Sequence, residues 1–208
     1  YEDQEPVTSE SPLHWTGVYH NWNSRCAECH STNIVKGYDG ERRQYTTTYD
    51  QIDVGCEACH GPGSRHVELA TAGKVNRSQS PAEMGLALSL AARGQWSRAP
   101  EDDIAHRVTP LTDQIQVDNC GRCHSRRATL GDYHYGQSLL DTHRLSTLES
   151  PLYWHDGQIL DEVYVYGSFM QSKMAQAGVV CSNCHNPHSN ELVLSLIHIS
   201  EPTRQWQI

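Results

Sequence analysis

All eight cysteines of this 208-residue chain fall into copies of one frame, Cys-x-x-Cys-His, and none is left over. The four copies are Cys26-Ala-Glu-Cys29-His30, Cys56-Glu-Ala-Cys59-His60, Cys120-Gly-Arg-Cys123-His124 and Cys181-Ser-Asn-Cys184-His185. Paired cysteines can bind zinc, but a zinc site does not require a histidine directly after every second cysteine. A redox dithiol would normally occur once, at the start of a helix, rather than four times.

The repeated frame is the attachment pattern of c-type haem. Two intervening residues in a helical turn set the two sulfurs at the spacing of the porphyrin vinyl groups, and the next residue then projects under the ring as an iron ligand. We therefore predict four covalently attached haem c groups, with His30, His60, His124 and His185 as proximal ligands. Because the thioether bonds use every cysteine, a disulfide framework is excluded.

The composition agrees with a core supplied by cofactors. Only 37% of residues are hydrophobic and the chain has one phenylalanine, Phe169, which is little for a compact core of this length. Four large apolar macrocycles would supply the missing buried area. The predicted fold class is mainly α with much irregular loop: short helices wrap four covalently bound haems, with at most one or two small hairpins.

Local patterns predict several elements of this fold. The Tyr- and Thr-rich stretch from Gly37 to Tyr49 predicts a hairpin, and the alternation from Asp161 to Tyr166 predicts a short strand. Helices are expected over 64–72, closed by Gly73; over 80–92, opened by a capping box at Ser80; and over 169–177, closed by Gly178.

Eight further histidines are candidates for the second axial position of the irons, although surface histidines are also common in polar loops. A second imidazole would make each iron six-coordinate, which suits electron transfer because the ligand shell hardly reorganises. The stronger distal candidates are His14, His66, His155 and His188, and the weaker ones are His20, His106, His134 and His143. His188 follows its own haem motif by three residues, so we expect it to serve a neighbouring haem.

The C-terminal stretch differs in character from the rest of the chain. Residues 194–204, Leu-Ser-Leu-Ile-His-Ile-Ser-Glu-Pro-Thr-Arg, read like the translation of a sequencing-library adapter. We therefore predict a tetrahaem module over 1–193, cut from a longer protein, and a non-native tail over 194–208. His198 is left out of the ligand candidates for that reason.

Several segments resemble the cytochrome c554-type multihaem domain. They are Pro12-Leu-His-Trp-Thr-Gly17, Cys26-Ala-Glu-Cys-His-Ser-Thr-Asn33, Gly55-Cys-Glu-Ala-Cys-His-Gly-Pro-Gly-Ser64, Cys120-Gly-Arg-Cys-His-Ser-Arg-Arg127 and Asp161-Glu-Val-Tyr-Val-Tyr-Gly-Ser-Phe169. The chain is similar to long bacterial multihaem cytochromes that carry a C-terminal tetratricopeptide-repeat region. The resemblance implies closely stacked haems and a place in the periplasm or on the extracellular side of a bacterial membrane. It also implies further haem motifs and a repeat region for partner binding in the longer protein.

These observations favour an electron carrier between redox partner proteins over an enzyme. The alternative is a multihaem oxidoreductase that acts on a small nitrogen or sulfur compound at a haem with an open coordination site. A third possibility is a mainly structural module that serves the repeat region. The net charge of −9 argues against nucleic acid as a partner, and no apolar run is long enough to span a membrane.

Overall fold

The computed structural model describes residues 6–14 and 16–193, so the predicted tail over 194–208 lies outside the described residues. The chain divides into two compact units, Tyr1–Ala87 and Leu88–Ile208. We call them the N-terminal unit and the C-terminal unit. Motifs 1 and 2 lie in the former, and motifs 3 and 4 lie in the latter.

The N-terminal unit is built from short helices and two small ladders. A 3-10 turn at Val18–His20 and a π-helical turn at Trp22–Cys26 lead into α1 (Ala27–His30), and α2 (Cys56–His60) and α3 (Ser64–Thr71) follow the ladders. Strand β1 (Ser31–Thr32) pairs antiparallel with β4 (Gln51–Ile52), and β2 (Tyr38–Asp39) pairs with β3 (Gln44–Tyr45) between them. The predicted hairpin over 37–49 is therefore confirmed.

The C-terminal unit contains the longest helix described, α4 (Ile115–His124). Its other helices are α5 (Tyr166–Gln171), α6 (Lys173–Gln176) and α7 (Cys181–Cys184), with a 3-10 turn at Leu139–Asp141. Strand β5 (Trp96–Ser97) pairs with β6 (His106–Arg107), and β7 (Arg127–Thr129) pairs with β8 (His143–Leu145), both antiparallel. Among the described residues, no helix is long and apolar enough to cross a membrane.

The two units differ in their cores. In the C-terminal unit Val117, Leu139, Tyr166 and Val180 form one buried apolar cluster. In the described part of the N-terminal unit, Ala27 is the only hydrophobic residue that is buried. The predicted class of short helices, irregular loops and small hairpins is confirmed, although the described residues form four two-stranded ladders rather than one or two.

The helix predicted over 80–92 is wrong. The capping contacts at its start do form, since the Ser80 N–H donates to Glu83 Oε2 at 2.8 Å. The chain then makes only a turn, because Gly85 takes a positive φ of 75° and packs against the backbone of Arg65 and His66. The helix over 64–72 is confirmed as α3, and Gly73 follows it with a φ of 68°.

The strand predicted over 161–166 is also wrong. Tyr164 has a φ of 61°, which interrupts an extended chain, and Tyr166 already begins α5. Val163 is nevertheless buried, and its carbonyl accepts a hydrogen bond from the Arg126 N–H at 3.1 Å. The helix predicted over 169–177 is two short helices, α5 and α6, separated at Ser172, whose hydroxyl caps α6.

Candidate haem attachment sites

Each of the four Cys-x-x-Cys-His motifs lies on a helical turn. Motif 1 runs from the π-helical turn into α1, and motif 2 forms the whole of α2. Motif 3 is the last part of α4, and motif 4 is α7 with His185 directly after it. Because residues three apart in a helix share one face, each turn presents its two thiols side by side. This is the local geometry that thioether attachment to one porphyrin edge requires.

The thiols and imidazoles of these motifs fit covalently held haem c. None of the eight cysteines is in a disulfide; Cys56 is exposed and the others are half-buried. The histidines that end the motifs also face open space, since His30, His124 and His185 are exposed and His60 is half-buried. Large apolar side chains beside the motifs are exposed as well, including Trp22 before motif 1 and Ile52 before motif 2. Such surfaces suit packing against an apolar disc.

Polar contacts hold motifs 1 and 2 to each other. Thr32, two residues after His30, is buried and uses its hydroxyl twice: Oγ1 donates to Asp53 O at 2.7 Å and accepts from the Gly55 N–H at 2.8 Å. Asn33 Nδ2 donates to Glu57 Oε2 at 2.8 Å, inside motif 2. Glu57 Oε1 accepts from the Gly63 N–H at 2.7 Å. The residues after one motif therefore fix the start of the next.

Motif 1 has a second support in a partly buried ion pair. Lys36 Nζ lies 3.0 Å from Glu28 Oε2, and the two side chains are 21% and 9% exposed. Glu28 stands between the two cysteines of the motif, so the pair anchors the attachment turn itself. The Ser31 hydroxyl also donates to the Ala27 carbonyl, and Ser125 Oγ donates to Gly121 O in the same position of motif 3.

Motifs 3 and 4 meet at their first cysteines. The Cys120 and Cys181 thiols are in hydrogen-bonding contact, and this contact lowers the pKa of Cys181 although burial opposes it. Burial, with the charge of Cys181, raises the pKa of Cys184. Gln116 on α4 accepts from the Ser182 N–H at 3.0 Å, which ties motif 4 to the helix of motif 3.

Arg107 stabilises the backbone of the segment that leads into motif 4. Its guanidinium donates to four main-chain carbonyls: Thr109 O at 2.8 Å, Ala92 O at 2.9 Å, Gly178 O at 2.7 Å and Arg93 O at 3.3 Å. Asn183 in motif 4 also donates to Arg93 O, at 3.0 Å. The sequence carries no signal for this role, since all four partners of the guanidinium are backbone atoms.

Asp118, a buried polar residue on α4 just before motif 3, was also not identified from the sequence. Asp118 is 9% exposed and accepts hydrogen bonds from the Tyr166 hydroxyl at 3.1 Å and the Leu139 N–H at 3.2 Å. Burial and the neighbouring carboxylate raise the pKa of Tyr166 well above its ordinary value. The only sequence signal is an aspartate inside the apolar face of a helix that leads into a haem motif.

Two of the distal candidates have their ring orientation fixed by a backbone carbonyl. His66 Nδ1 donates to Met84 O at 2.8 Å, and His20 Nδ1 donates to Leu13 O. A carbonyl only accepts, so Nδ1 carries the proton and Nε2 keeps a lone pair when the ring is neutral. This is the tautomer in which an imidazole ligates iron through Nε2. His20 was one of the weaker candidates from the sequence, but its ring is oriented by a carbonyl in the same way as that of His66.

The other candidates are less distinctive. His14 Nδ1 lies 2.9 Å from Thr16 Oγ1, and His143 Nδ1 lies 2.9 Å from Thr142 Oγ1, with His143 only 1% exposed. His106 Nε2 is 3.9 Å from Asp102 Oδ2, so the nitrogen that would bind iron faces a carboxylate. His134, His155 and His188 are exposed. In the described part of the chain, no three His, Cys, Asp or Glu side chains converge as a preformed metal site.

Two arginines near motif 3 make local contacts. Arg122 stacks on the rings of Tyr133 and Tyr135, with its guanidinium carbon 4.4 and 5.0 Å from the two centroids. Arg126 donates to Glu162 O at 3.1 Å. Both side chains are therefore engaged in local contacts.

Comparison with known proteins agrees with this geometry. Residues 3–61 match the family model described as cytochrome c554 and c-prime. Residues 3–61, which contain motifs 1 and 2, are therefore similar to a cytochrome c554-type domain. The chain is 24% identical over 191 residues to the C-type polyheme cytochrome OmcC of Geobacter sulfurreducens, an alignment that covers 88% of this chain and 22% of OmcC.

Among solved structures, the crystal structure of the outer cell wall cytochrome OcwA aligns with a TM-score of 0.47 and 19% identity, over 80% of this chain and 33% of OcwA. The chain thus spans about a fifth of the length of OmcC and a third of that of OcwA. The comparisons support covalently bound haem c as the cofactor. Electron transfer stays a prediction for this chain. The number and positions of the haems stay predictions.

Proposed function

We propose that the chain is an electron carrier that holds four haem c groups as two close pairs, one in each unit. The observation that carries the proposal is that all four attachment motifs lie on helical turns and none of their cysteines is in a disulfide. Haem c supplies reversible one-electron chemistry when it is bound. The chain's cysteines would hold each group covalently, and His30, His60, His124 and His185 would bind the irons.

The pairing within each unit is supported by contacts between its motifs. Thr32 and Asn33 join motif 1 to motif 2, and the Cys120 and Cys181 thiols touch. Groups attached at touching cysteines must lie near each other, and short separations favour rapid electron exchange. We infer that electrons pass within each pair and then to redox partner proteins. The proposed location is the periplasm or the extracellular side of a bacterial membrane.

In the N-terminal unit, His20 and His66 are the proposed distal ligands. The carbonyl bonds at their Nδ1 atoms fix both ring orientation and tautomer before any iron is bound. Loss of such an outer contact usually weakens ligation by 10- to 100-fold, which makes Leu13 O and Met84 O part of the proposed site. For the C-terminal unit, His143, His155 and His188 remain candidates of equal rank.

Haem counting tests the attachment sites. The full chain, expressed with the c-type haem ligation machinery, should carry four haems by intact mass and by the pyridine haemochrome assay. Replacing both cysteines of one motif by alanine should remove one haem at a time. A parent protein that binds zinc instead of haem would refute the proposal.

Ligand replacement tests the carrier role. His66→Ala should open one iron in four, giving a high-spin signal and carbon monoxide binding that the parent lacks. Glu68→Ala, at an exposed site of the same helix, is the matched control and should leave the spectrum unchanged. A parent protein that already binds carbon monoxide and reduces nitrite or hydroxylamine would support the oxidoreductase alternative.

A further inference from the structure

The C-terminal unit buries a carboxylate without a cationic partner. Asp118 is 9% exposed, and among the described residues it forms no ion pair with a lysine or arginine. Its two hydrogen-bond donors, the Tyr166 hydroxyl and the Leu139 N–H, are neutral. An ionised carboxylate in an apolar interior is unfavourable unless positive charge compensates it. The position of this carboxylate relative to the haem motifs indicates what its charge could do.

Asp118 and its partner Tyr166 lie against both haem motifs of this unit. Asp118 precedes Cys120 by two residues on α4. The Tyr166 ring packs directly on motif 3: a Cβ added to Gly121 would lie 2.6 Å from Tyr166 Cε2. Tyr166 also interacts electrostatically with Cys181, the first cysteine of motif 4. The buried charge thus lies beside the two attachment points that touch each other.

We propose that Asp118 is a built-in negative charge that lowers the reduction potentials of the haems held at motifs 3 and 4. The inference rests on the proposed function, in that these motifs must carry haem. An oxidised haem iron has one more positive charge than a reduced one, so a nearby carboxylate in a low-dielectric interior stabilises the oxidised state. The iron of a bound haem would in turn supply a positive charge near a carboxylate that forms no ion pair among the described residues. Tyr166 is the positioning residue that holds the carboxylate in place.

The test is a redox titration of the haem-loaded full chain carrying Asp118→Asn, which removes the charge and keeps the side-chain size. At a fixed electrode potential, the ratio of reduced to oxidised haem should rise about tenfold at one or two of the four haems, which corresponds to about 59 mV for one electron. Asp118→Glu retains the charge and disturbs the geometry, so its potentials should stay near those of the parent. Asp132→Asn, at an exposed site of the same unit, should change nothing.

Equal shifts in Asp118→Asn and Asp118→Glu would show that geometry matters rather than charge, and would overturn the inference. Unchanged potentials in a fully loaded Asp118→Asn protein would overturn it as well. If that variant loses haem, Asp118→Ser is the alternative neutral variant, because its hydroxyl can still accept from the Leu139 N–H. A parent that carries only two haems would instead overturn the proposed function, before any variant is compared.

Discussion

The two units carry the same number of haem motifs but are held together in different ways. In the C-terminal unit, an apolar cluster of Val117, Leu139, Tyr166 and Val180 supports α4 and α7. In the N-terminal unit, the described residues bury Ala27, Ser31, Thr32 and Gly61, and the links between motifs are polar. The C-terminal unit therefore has a small side-chain core of its own. We infer that the stability of the N-terminal unit depends instead on the groups that its motifs bind.

The exposed residues of the N-terminal unit support this difference. Val18, Val35, Ile52 and Val67 are 72%, 49%, 57% and 62% exposed, respectively. Burial of apolar side chains is the main favourable contribution to folding, and these side chains contribute little unless something covers them. Covalently held haem would cover apolar surface beside both motifs. We infer that haem contributes a larger share of the stability in the N-terminal unit.

Expression without haem attachment should have the largest effect and should separate the two units most clearly. In the full chain made without haem ligation, we expect the N-terminal unit to be unfolded, while amides of α4 retain partial protection. The reason is that apolar burial drives folding and, among the described residues, only the C-terminal unit has a buried apolar cluster without haem. Hydrogen exchange read by mass spectrometry, peptide by peptide, measures both units in one sample. Equal protection in the two units would contradict the inferred difference.

Shortening one core side chain should have the next largest effect. Val117 is 1% exposed within the apolar cluster, so Val117→Ala should destabilise the haem-loaded protein by about 2 kcal/mol through lost burial and a residual cavity. Val108→Ala, at a site 58% exposed in the same unit, should stay within about 0.5 kcal/mol. Denaturant unfolding followed by tryptophan fluorescence compares the two. Similar values for both would mean that the cluster does not support this unit.

The polar links of the N-terminal unit offer a matching test. Thr32→Val keeps the side-chain shape but removes the hydroxyl that joins Asp53 O and the Gly55 N–H, leaving both without that partner. We expect a loss of about 1–3 kcal/mol, together with weaker haem incorporation at motif 2. Thr46→Val, which removes an exposed hydroxyl bonded to Gly37 O, should have a much smaller effect. If the two variants behave alike, the contact between motifs is not what holds this unit.

The sequence predicted the local structure at the haem motifs better than in the segments between them. The Cys-x-x-Cys-His frames predicted the helical turns on which all four motifs lie, because this spacing is useful only in that conformation. The hairpin over 37–49 and the helix over 64–72 were also predicted, since their turn and stop residues are local signals.

The helix over 80–92 and the strand over 161–166 failed for a physical reason. Single backbone conformations, at Gly85 and Tyr164, override the propensity of their neighbours. The contacts that fix them come from distant parts of the chain, such as His66 with Met84 O and Arg126 with Val163 O. The role of Arg107 could not be predicted from the sequence either. Its guanidinium bonds to four backbone carbonyls, and contacts to the backbone leave no pattern of residue types.

The smallest expected effect is a difference in how the units respond to alkaline pH. Burial raises the pKa of three phenols, all in the C-terminal unit: Tyr133, Tyr153 and Tyr166. The unfolded chain releases these protons near the ordinary tyrosine pKa of about 10, while the folded unit keeps them to higher pH. Above about pH 10 the unfolded state thus binds fewer protons, and stability falls as pH rises.

Tyr166→Phe should make that loss less steep, because it removes the phenol whose pKa is raised most. At neutral pH the same variant should be less stable by about 1 kcal/mol, since the hydrogen bond to Asp118 is lost. Unfolding curves of parent and variant should therefore converge between pH 10 and about pH 11, with exchange of the α4 amides as the local measurement. Tyr49→Phe, at an exposed site of the N-terminal unit, is the matched substitution and should run parallel to the parent. Curves for Tyr166→Phe that also stay parallel would show that the buried phenol has no part in the alkaline response of this unit.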